Sequence, residues 1–209
     1  MLIITIKQGK EKSLLDGQPW IYASAIEKVD GKPQEKMKPG STAIVQSSST
    51  KFLARAAYNS KSQIRARVWS FDQNEPVDHA MIKRRVGAAL AKRAPSRAQA
   101  GNRQLVALIK AEEDGLPGLL VDSFGGADGY LICQFQAGGV DAWKVPIVQA
   151  LIAQTGCRNV YERCDALIRK GEGLPVICGA LSGVAPPDEI ELTDNGVRYI
   201  MNLKTGHTR

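Results

Sequence analysis

The stretch Glu112-Glu113-Asp114-Gly115-Leu116-Pro117-Gly118-Leu119-Leu120-Val121-Asp122 lies near the middle of the 209-residue chain. It joins three acids to a Gly-Leu-Pro-Gly reversal and a short apolar run that ends in an aspartate. Pro117 presets its own φ, and either flanking glycine can adopt a positive φ. The stretch therefore predicts a tight turn followed by a strand, which is the start of a hairpin.

The acids of this stretch also allow a catalytic interpretation, because hard divalent cations bind several carboxylate oxygens. The alternative is an acidic, solvated hairpin that fixes strand register. The run lacks the alternating ligand spacing and the closing glutamate of a calcium loop, so the sequence favours the hairpin. A metal-dependent enzyme stays open as a less favoured function, with the candidate ligands Glu112, Glu113, Asp114 and Asp122.

Charge is distributed unevenly along the chain, whose formal net charge is +7. Residues 1–111 hold 20 Lys and Arg against 8 Asp and Glu, whereas residues 112–209 hold 8 against 13. The first part is therefore +12 and the second −5. Such asymmetry is typical of a polyanion-binding part joined to a part with another task. Because phosphate neutralisation by Lys and Arg supplies most non-specific affinity, nucleic acid is the first candidate partner.

The composition, 44% hydrophobic and 23% charged, is that of an ordinary soluble globular protein. The first residues lack the features of a signal peptide, and no stretch approaches a membrane span. The four cysteines form no CxxC pair, so we interpret them as reduced thiols in a cytoplasmic protein. His79 and His207 are too far apart in sequence to support a metal site or triad, and no phosphate-binding glycine motif is present.

Short strands separated by turn signals are predicted in the first third of the chain, at Leu2–Ile6, Thr42–Val45, Phe52–Tyr58 and Ile64–Phe71. A short helix is predicted at Lys10–Leu15, closed by Gly17 and Pro19. This spacing is typical of a small β-barrel or sandwich. Alternation in the last strand puts Arg65, Arg67 and Trp69 on one face, opposite Ile64, Ala66 and Val68. That face is either a surface that binds single-stranded RNA or a solvated outer face.

The remaining elements predict a second, α+β part. A basic helix is predicted from Asp78 to Ala94, with Asp78 as N-cap and Pro95 as its stop, followed by a loop at Ser96–Gln104. The helix is interpreted as a linker packed on a neighbour or as a phosphate-binding surface. Beyond it the pattern predicts a helix at Asp141–Gln154 and strands at Leu105–Lys110, Leu119–Phe124, Tyr130–Gln136, Asn159–Glu162, Ile177–Cys178, Glu189–Thr193 and Val197–Leu203. The expected fold class is mixed α+β.

Four segments together resemble one family, the ribosomal RNA large-subunit methyltransferase I family, whose members methylate cytosine C5 with S-adenosylmethionine. The segments match the family in order and spacing: Gly9–Leu14 leading to Pro19–Tyr22, Ser62–Val68, Glu112–Asp122, and Arg169–Leu174. The resemblance covers almost the whole chain.

The resemblance implies a PUA-like RNA-binding domain at residues 1–73, a basic linker helix and loop at 74–99, and a central strand-strand-helix-strand-strand domain at 100–203. Residues 204–209 resemble the start of the catalytic Rossmann-like domain, which is expected to be missing, as in a truncated protein. Cytosine C5 methylation needs a cysteine nucleophile, and the family carries that cysteine and its cofactor pocket in the missing part. The resemblance therefore implies no catalytic, cofactor-binding or metal residue here, and S-adenosylmethionine only for the full-length family.

RNA contact by the PUA-like part is what the resemblance does imply for this chain, with 23S rRNA as the expected partner. Lysines and arginines would hold phosphates, and an exposed ring would stack on a base; Trp20 is equally compatible with a place in the core. The candidate RNA-binding residues are Lys10, Lys12, Ser13, Trp20, Tyr22, Arg65 and Arg67. The leading hypothesis is an RNA-recognition portion that is inactive alone, with a catalytic domain supplied in cis or in trans. The alternative is a stand-alone RNA- or protein-interaction module.

Overall fold

The computed structural model describes residues 1–209, which form a mixed α+β fold built on two sheets and one separate hairpin. The first sheet has six strands in the order β2-β6-β5-β4-β1-β3 and curls into a half-barrel. Within this sheet only β1 and β4 pair in parallel. The six strands are β1 Leu2–Ile6, β2 Trp20–Ile21, β3 Ile26–Asp30, β4 Ser41–Gln46, β5 Phe52–Tyr58 and β6 Ala66–Ser70.

Alternating apolar residues fill the half-barrel. In β1 the side chains of Leu2, Ile4 and Ile6 are fully buried, because successive residues of a strand point to opposite faces. The short helix α1 (Lys12–Leu15) contributes only Leu14 to this core. A second short helix, α2 (Pro33–Met37), precedes β4.

The second sheet has five strands in the order β11-β10-β9-β8-β7. The strands are β7 Leu105–Lys110, β8 Leu119–Phe124, β9 Tyr130–Phe135, β10 Val160–Glu162 and β11 Gly179–Ser182. The parallel pair β9–β10 is joined by α5 (Gly138–Ala142) and α6 (Lys144–Thr155). A hairpin of β12 (Ile190–Asp194) and β13 (Val197–Met201) supplies Ile190 and Met201 to a separate small cluster that includes Ile132 of the sheet.

The basic helix is confirmed as α3 (His79–Lys92), and the Asp78 side chain accepts a hydrogen bond from the Met81 backbone N–H at 2.8 Å. Its apolar side packs in the larger core together with α6 and the five-stranded sheet. The helix therefore belongs to the second part of the molecule, which is the five-stranded sheet with the helices packed on it. The predicted loop at Ser96–Gln104 is partly wrong. The first residues of that segment belong to a further helix, α4 (Ala94–Gln99). Pro95 is compatible with this helix because a proline in the first turn needs no hydrogen-bonded N–H.

Three other expectations differ from the structure. The predicted strand Ile177–Cys178 is wrong, and the pairing with β10 begins only at Gly179. The single predicted helix at Asp141–Gln154 is two helices that meet at Trp143. Helix α7 (Ala166–Gly171) is absent from the prediction because it is too short to show helical periodicity. No helix in the structure combines the length and apolar character needed to cross a membrane.

Candidate nucleic-acid interface and the junction behind it

Three of the predicted RNA-binding residues lie on the exposed segment between β1 and β2. Lys10 precedes α1, and Lys12 and Ser13 form its first turn; all three are exposed. Buried Leu14 fixes this short helix on the half-barrel while its neighbours face water. Neither lysine has a carboxylate within ion-pair distance. Both charges are therefore available to phosphate.

Two further predicted residues lie close to this segment. Tyr22 follows β2 and is 49% exposed. The register pairs Ile21 with Ala66, so Tyr22 and Arg65 lie at the same end of the β2–β6 ladder. The Lys7 backbone N–H donates to the Ala25 carbonyl at 2.9 Å, which ties the lysine segment to the residues after β2. We call Lys10, Lys12, Ser13, Tyr22 and Arg65 the basic face.

Trp20 and Arg67 lie instead against the second part of the molecule. The Trp20 indole Nε1 donates to Glu112 Oε1 at 3.0 Å, and Arg67 Nη1 donates to the same oxygen at 3.1 Å. The Arg67 guanidinium also lies 5.8 Å from the centroid of the Trp20 ring, within cation–π range. Trp20 remains 42% exposed, whereas the Arg67 side chain is only 16% exposed.

A second carboxylate, that of Glu172, completes this contact from the segment after α7. It is 6% exposed, and its Oε1 accepts from Arg67 Nη2 at 3.2 Å and from Ser62 Oγ at 2.6 Å. Asn59 Nδ2 donates to Glu172 Oε2 at 3.0 Å. Burial of a charge is tolerated where a cation and several donors compensate it. We call the set of Trp20, Asn59, Ser62, Arg67, Glu112 and Glu172 the junction.

The predicted alternation is correct for Ala66–Trp69 of β6, but Ile64 and Arg65 precede the strand, and what covers its outer face was not foreseen. Ala66 and Val68 point into the half-barrel, while Trp69 packs in the larger core with Ala57. Trp69 is 4% exposed, so it is neither a stacking platform nor part of a solvated face. The second part of the molecule lies over this face, as the Arg67 ion pairs also show.

The acidic side chains of the Glu112–Asp122 stretch pair with different Lys and Arg side chains and do not converge on one point. Asp114 accepts from Arg93 Nη1 at 3.0 Å and from the Lys110 backbone N–H at 2.7 Å. A hydrogen bond from Lys92 lowers the pKa of Glu113. Burial raises the pKa of Asp122, against the opposing effect of Arg163. The structure has no group of three or more His, Cys, Asp or Glu side chains placed to hold a metal ion.

The parallel pair β9–β10 is the one place where a strand leads through glycines into a helix, as a cofactor loop does. Its glycines pack against the half-barrel instead. A Cβ atom on Gly138 would lie 2.8 Å from the Gly40 nitrogen, and one on Gly139 would lie 2.7 Å from the Ala57 Cβ. The space that a nucleotide would need beside these glycines is filled by protein, so these residues do not fit a cofactor such as S-adenosylmethionine.

Three of the four cysteines have thiols of raised pKa. Cys133 and Cys157 are buried, and burial raises the pKa of both thiols. Burial and a hydrogen bond with Cys178 raise the pKa of Cys164 to about 12. A thiol with a raised pKa holds little thiolate, which is the reactive form.

Sequence reasoning missed Asn59 and the roles of Ser62, Glu112 and Glu172 as junction acceptors and donors. A signal was present, because Trp20, Ser62, Arg67, Glu112 and Glu172 all fall in the four segments that carry the family resemblance. Sequence order could not show that these segments meet, since the two hydrogen-bonded ends of the Asn59–Glu172 contact lie 113 residues apart.

Comparison with known proteins supplies a family context for this geometry. Residues 4–71 match the model of the PUA-like domain. The chain is 40% identical over 212 residues to the ribosomal RNA large subunit methyltransferase I of Pseudoalteromonas atlantica, covering 98% of this chain and 49% of that relative. The corresponding protein of Aliivibrio fischeri is 37% identical over 207 residues, covering 98% and 50%. The chain thus spans about half the length of the curated relatives it matches.

Solved structures share the fold at low sequence identity. A putative SAM-dependent methyltransferase from Streptococcus mutans superposes with a TM-score of 0.78 at 15% identity, over 100% of this chain and 50% of that one. A putative methyltransferase complexed with SAH gives a TM-score of 0.77 at 15% identity, over 99% and 49%. The chain therefore contains a PUA-like domain and is homologous to ribosomal RNA large subunit methyltransferase I over about half the length of those relatives.

Proposed function

We propose that this chain is the RNA-recognition portion of an S-adenosylmethionine-dependent methyltransferase that acts on cytosine C5 of 23S rRNA, and that it transfers no methyl group by itself. Within this proposal residues 1–73 are the RNA-binding domain, 74–99 a basic connection, 100–203 the central domain and 204–209 the start of a methyltransferase domain. Homology to rRNA methyltransferases and the PUA-like domain support it.

The basic face is the observation that supports RNA binding. Its lysines are exposed and free of acidic partners, whereas all four arginines from Arg67 to Arg93 are held by carboxylates. An exposed ring, Tyr22, lies beside them. Cations that hold phosphates next to a ring that stacks on a base are the elements of single-strand recognition.

The seven predicted RNA-binding residues then have two roles. Lys10, Lys12, Ser13, Tyr22 and Arg65 contact RNA directly. Trp20 offers the exposed part of its ring at the border of this face, and Arg67 holds β6 in place through its two carboxylates rather than contacting phosphate.

The direct test is a salt titration of RNA binding with charge-reversal variants. The double variant Lys10→Glu/Lys12→Glu is compared with Lys36→Glu/Lys38→Glu, which changes the net charge equally at α2 on the same half-barrel. We expect the first variant to lose at least tenfold in affinity for a 23S rRNA transcript and to flatten the salt dependence, because two phosphate contacts are removed. Equal losses in both variants would contradict a localised interface.

Tyr22→Ala tests stacking separately from charge. We expect a loss of about 1–3 kcal/mol in binding free energy with an unchanged salt slope, since a ring releases no counterions. A change in the slope without a change in affinity at low salt would argue against stacking.

Methyl transfer is tested by adding the part of a relative that this chain does not cover. The residues of the Pseudoalteromonas atlantica relative that have no counterpart here are mixed with this chain, labelled S-adenosylmethionine and 23S rRNA. We expect no label transfer by this chain alone and transfer by the mixture. Transfer by this chain alone would overturn the proposal.

Protein interaction is the second candidate function. Three exposed apolar side chains favour it. Leu167 is 84% exposed, Ile177 69% and Val184 61%, on and around α7 and the edge strand β11. Exposed apolar patches beside an unpaired strand edge mark interaction surfaces. We propose that its partner is the catalytic half in trans. Calorimetry with that half of the relative should show binding that Leu167→Asp/Ile177→Asp abolishes, and an absence of heat with the unaltered chain would count against it.

A further inference from the structure

Two buried donors, one from Arg67 of the junction and one from Trp69 beside it on β6, have no acceptor in the protein. They are the Arg67 Nε and the Trp69 indole Nε1, both fully shielded from solvent. A buried donor without an acceptor is costly, and ordered water commonly satisfies such groups. The two donors belong to residues on the same face of β6, two positions apart.

Both residues line one small cavity between the half-barrel and the second part of the molecule. Its volume is about 10 Å³, and Asn59, Pro117 and Glu172 also line it. Gly139 also lines the cavity, and a Cβ on it would lie 3.5 Å from Trp69 Cε2, the carbon bonded to the indole nitrogen. A cavity of this size accepts the centre of about one water molecule.

The charges around the cavity decide which small acceptor fits. One guanidinium, Arg67, pairs with two carboxylates, Glu112 and Glu172. A halide would add negative charge where carboxylates already outnumber the cation, and a larger anion exceeds the available space. A neutral molecule that accepts two hydrogen bonds and can donate to a carboxylate oxygen matches the site.

We infer that the junction contains a built site for one water molecule, which accepts hydrogen bonds from Arg67 Nε and Trp69 Nε1 and donates toward the Glu172 carboxylate. The water links β6 of the half-barrel to residues of the opposite wall. It completes the hydrogen bonds of Arg67, whose other two nitrogens already bind Glu112 and Glu172.

The inference is tested by water-selective NMR on the intact chain. We expect the Trp69 indole proton to show a cross-peak to water with the sign of a long-lived contact, and Trp69→Phe to remove that peak. Trp143→Phe is the matched control, because Trp143 is half-buried against His79 and does not line the cavity. Its variant should leave the Trp69 peak unchanged, and the remaining indole peaks report whether each variant is folded.

A crystal structure at high resolution tests the water site independently. We expect one density peak within hydrogen-bond distance of both nitrogens, with no anomalous signal after a bromide soak. An indole proton without a water cross-peak, a site without density, or a bromide signal at that position would each overturn the inference.

Discussion

Arg67 divides its guanidinium between carboxylates from different parts of the second unit, Glu112 in the acidic turn and Glu172 after α7. Arg67 was predicted to contact RNA from its charge, the alternation of its strand and the family resemblance. The structure instead gives it two partners within 3.2 Å and a side chain that is 16% exposed. A basic residue on the outer face of a strand can therefore serve an interface inside its own chain.

Arg67→Met should lower the free energy of unfolding by about 3 kcal/mol, because it leaves the buried Glu172 without its cation. Arg103→Met is the matched control, since its pair with Glu191 is exposed and should contribute less than about 1 kcal/mol. Urea unfolding at pH 7 measures both. The double variant Arg67→Met/Glu172→Gln should recover part of the loss, and additive losses would show that the two side chains are not coupled.

Asp122→Asn should stabilise the protein at pH 7. Burial raises the pKa of Asp122 in the folded state, so the native chain binds this proton more tightly than the unfolded chain does. The charged form then costs stability above the folded pKa, and that cost disappears as pH falls below the ordinary aspartate value. The gain should shrink toward zero near pH 4 in urea titrations. The exposed Asp16→Asn serves as control, and a loss of stability at pH 7 would show that attraction to Arg163 dominates.

At the scale of elements, the helix α5 packs directly against β4 and β5 of the half-barrel. Its first residues are glycines because no side chain fits there: a Cβ on Gly139 would lie 2.7 Å from Ala57 Cβ and 3.2 Å from Trp69 Cζ2. The Gly-Gly pair after a strand is thus explained by packing against the half-barrel.

Gly139→Ala should cost about 1–3 kcal/mol in unfolding free energy, through overpacking at this contact. Gly171→Ala is the matched helical control: no atom lies within 4 Å of its added Cβ, so it should be neutral or stabilise by up to about 1 kcal/mol. Thermal unfolding followed by circular dichroism compares the two. Equal effects would mean that the α5 contact is looser than its geometry indicates.

For the whole molecule, the charge asymmetry has a second explanation beside RNA binding. Arg67, Lys92 and Arg93 of the basic part pair with Glu112, Glu113 and Asp114 of the acidic part. Part of the +12 and −5 division is therefore complementarity between two segments of one chain. The cations left for a polyanion are those without a carboxylate partner, and Lys10 and Lys12 are among them.

The two parts should unfold in a single transition. Ala57 and Trp69 of the half-barrel belong to the same core cluster as α3 and the five-stranded sheet, and the junction adds buried ion pairs across the contact. Differential scanning calorimetry should give a calorimetric enthalpy equal to the van't Hoff enthalpy. Two resolved transitions would show that the half-barrel folds independently, and Arg67→Met would then be expected to shift only one of them.

The sequence by itself determined the mixed α+β class, most strands, the α3 helix with its Asp78 cap, and the PUA-like resemblance, because these depend on local periodicity and on matched segments. The sequence did not predict short or half-exposed elements such as β3 and α7, because a few residues show too little periodicity. Only the tertiary structure decided what the acidic stretch around Pro117 does. Glu112 meets Trp20 and Arg67 across the fold, and contacts between residues 45 to 113 positions apart depend on how whole sheets pack. The stretch that resembled a metal site is, in the folded chain, one wall of the junction that holds the half-barrel.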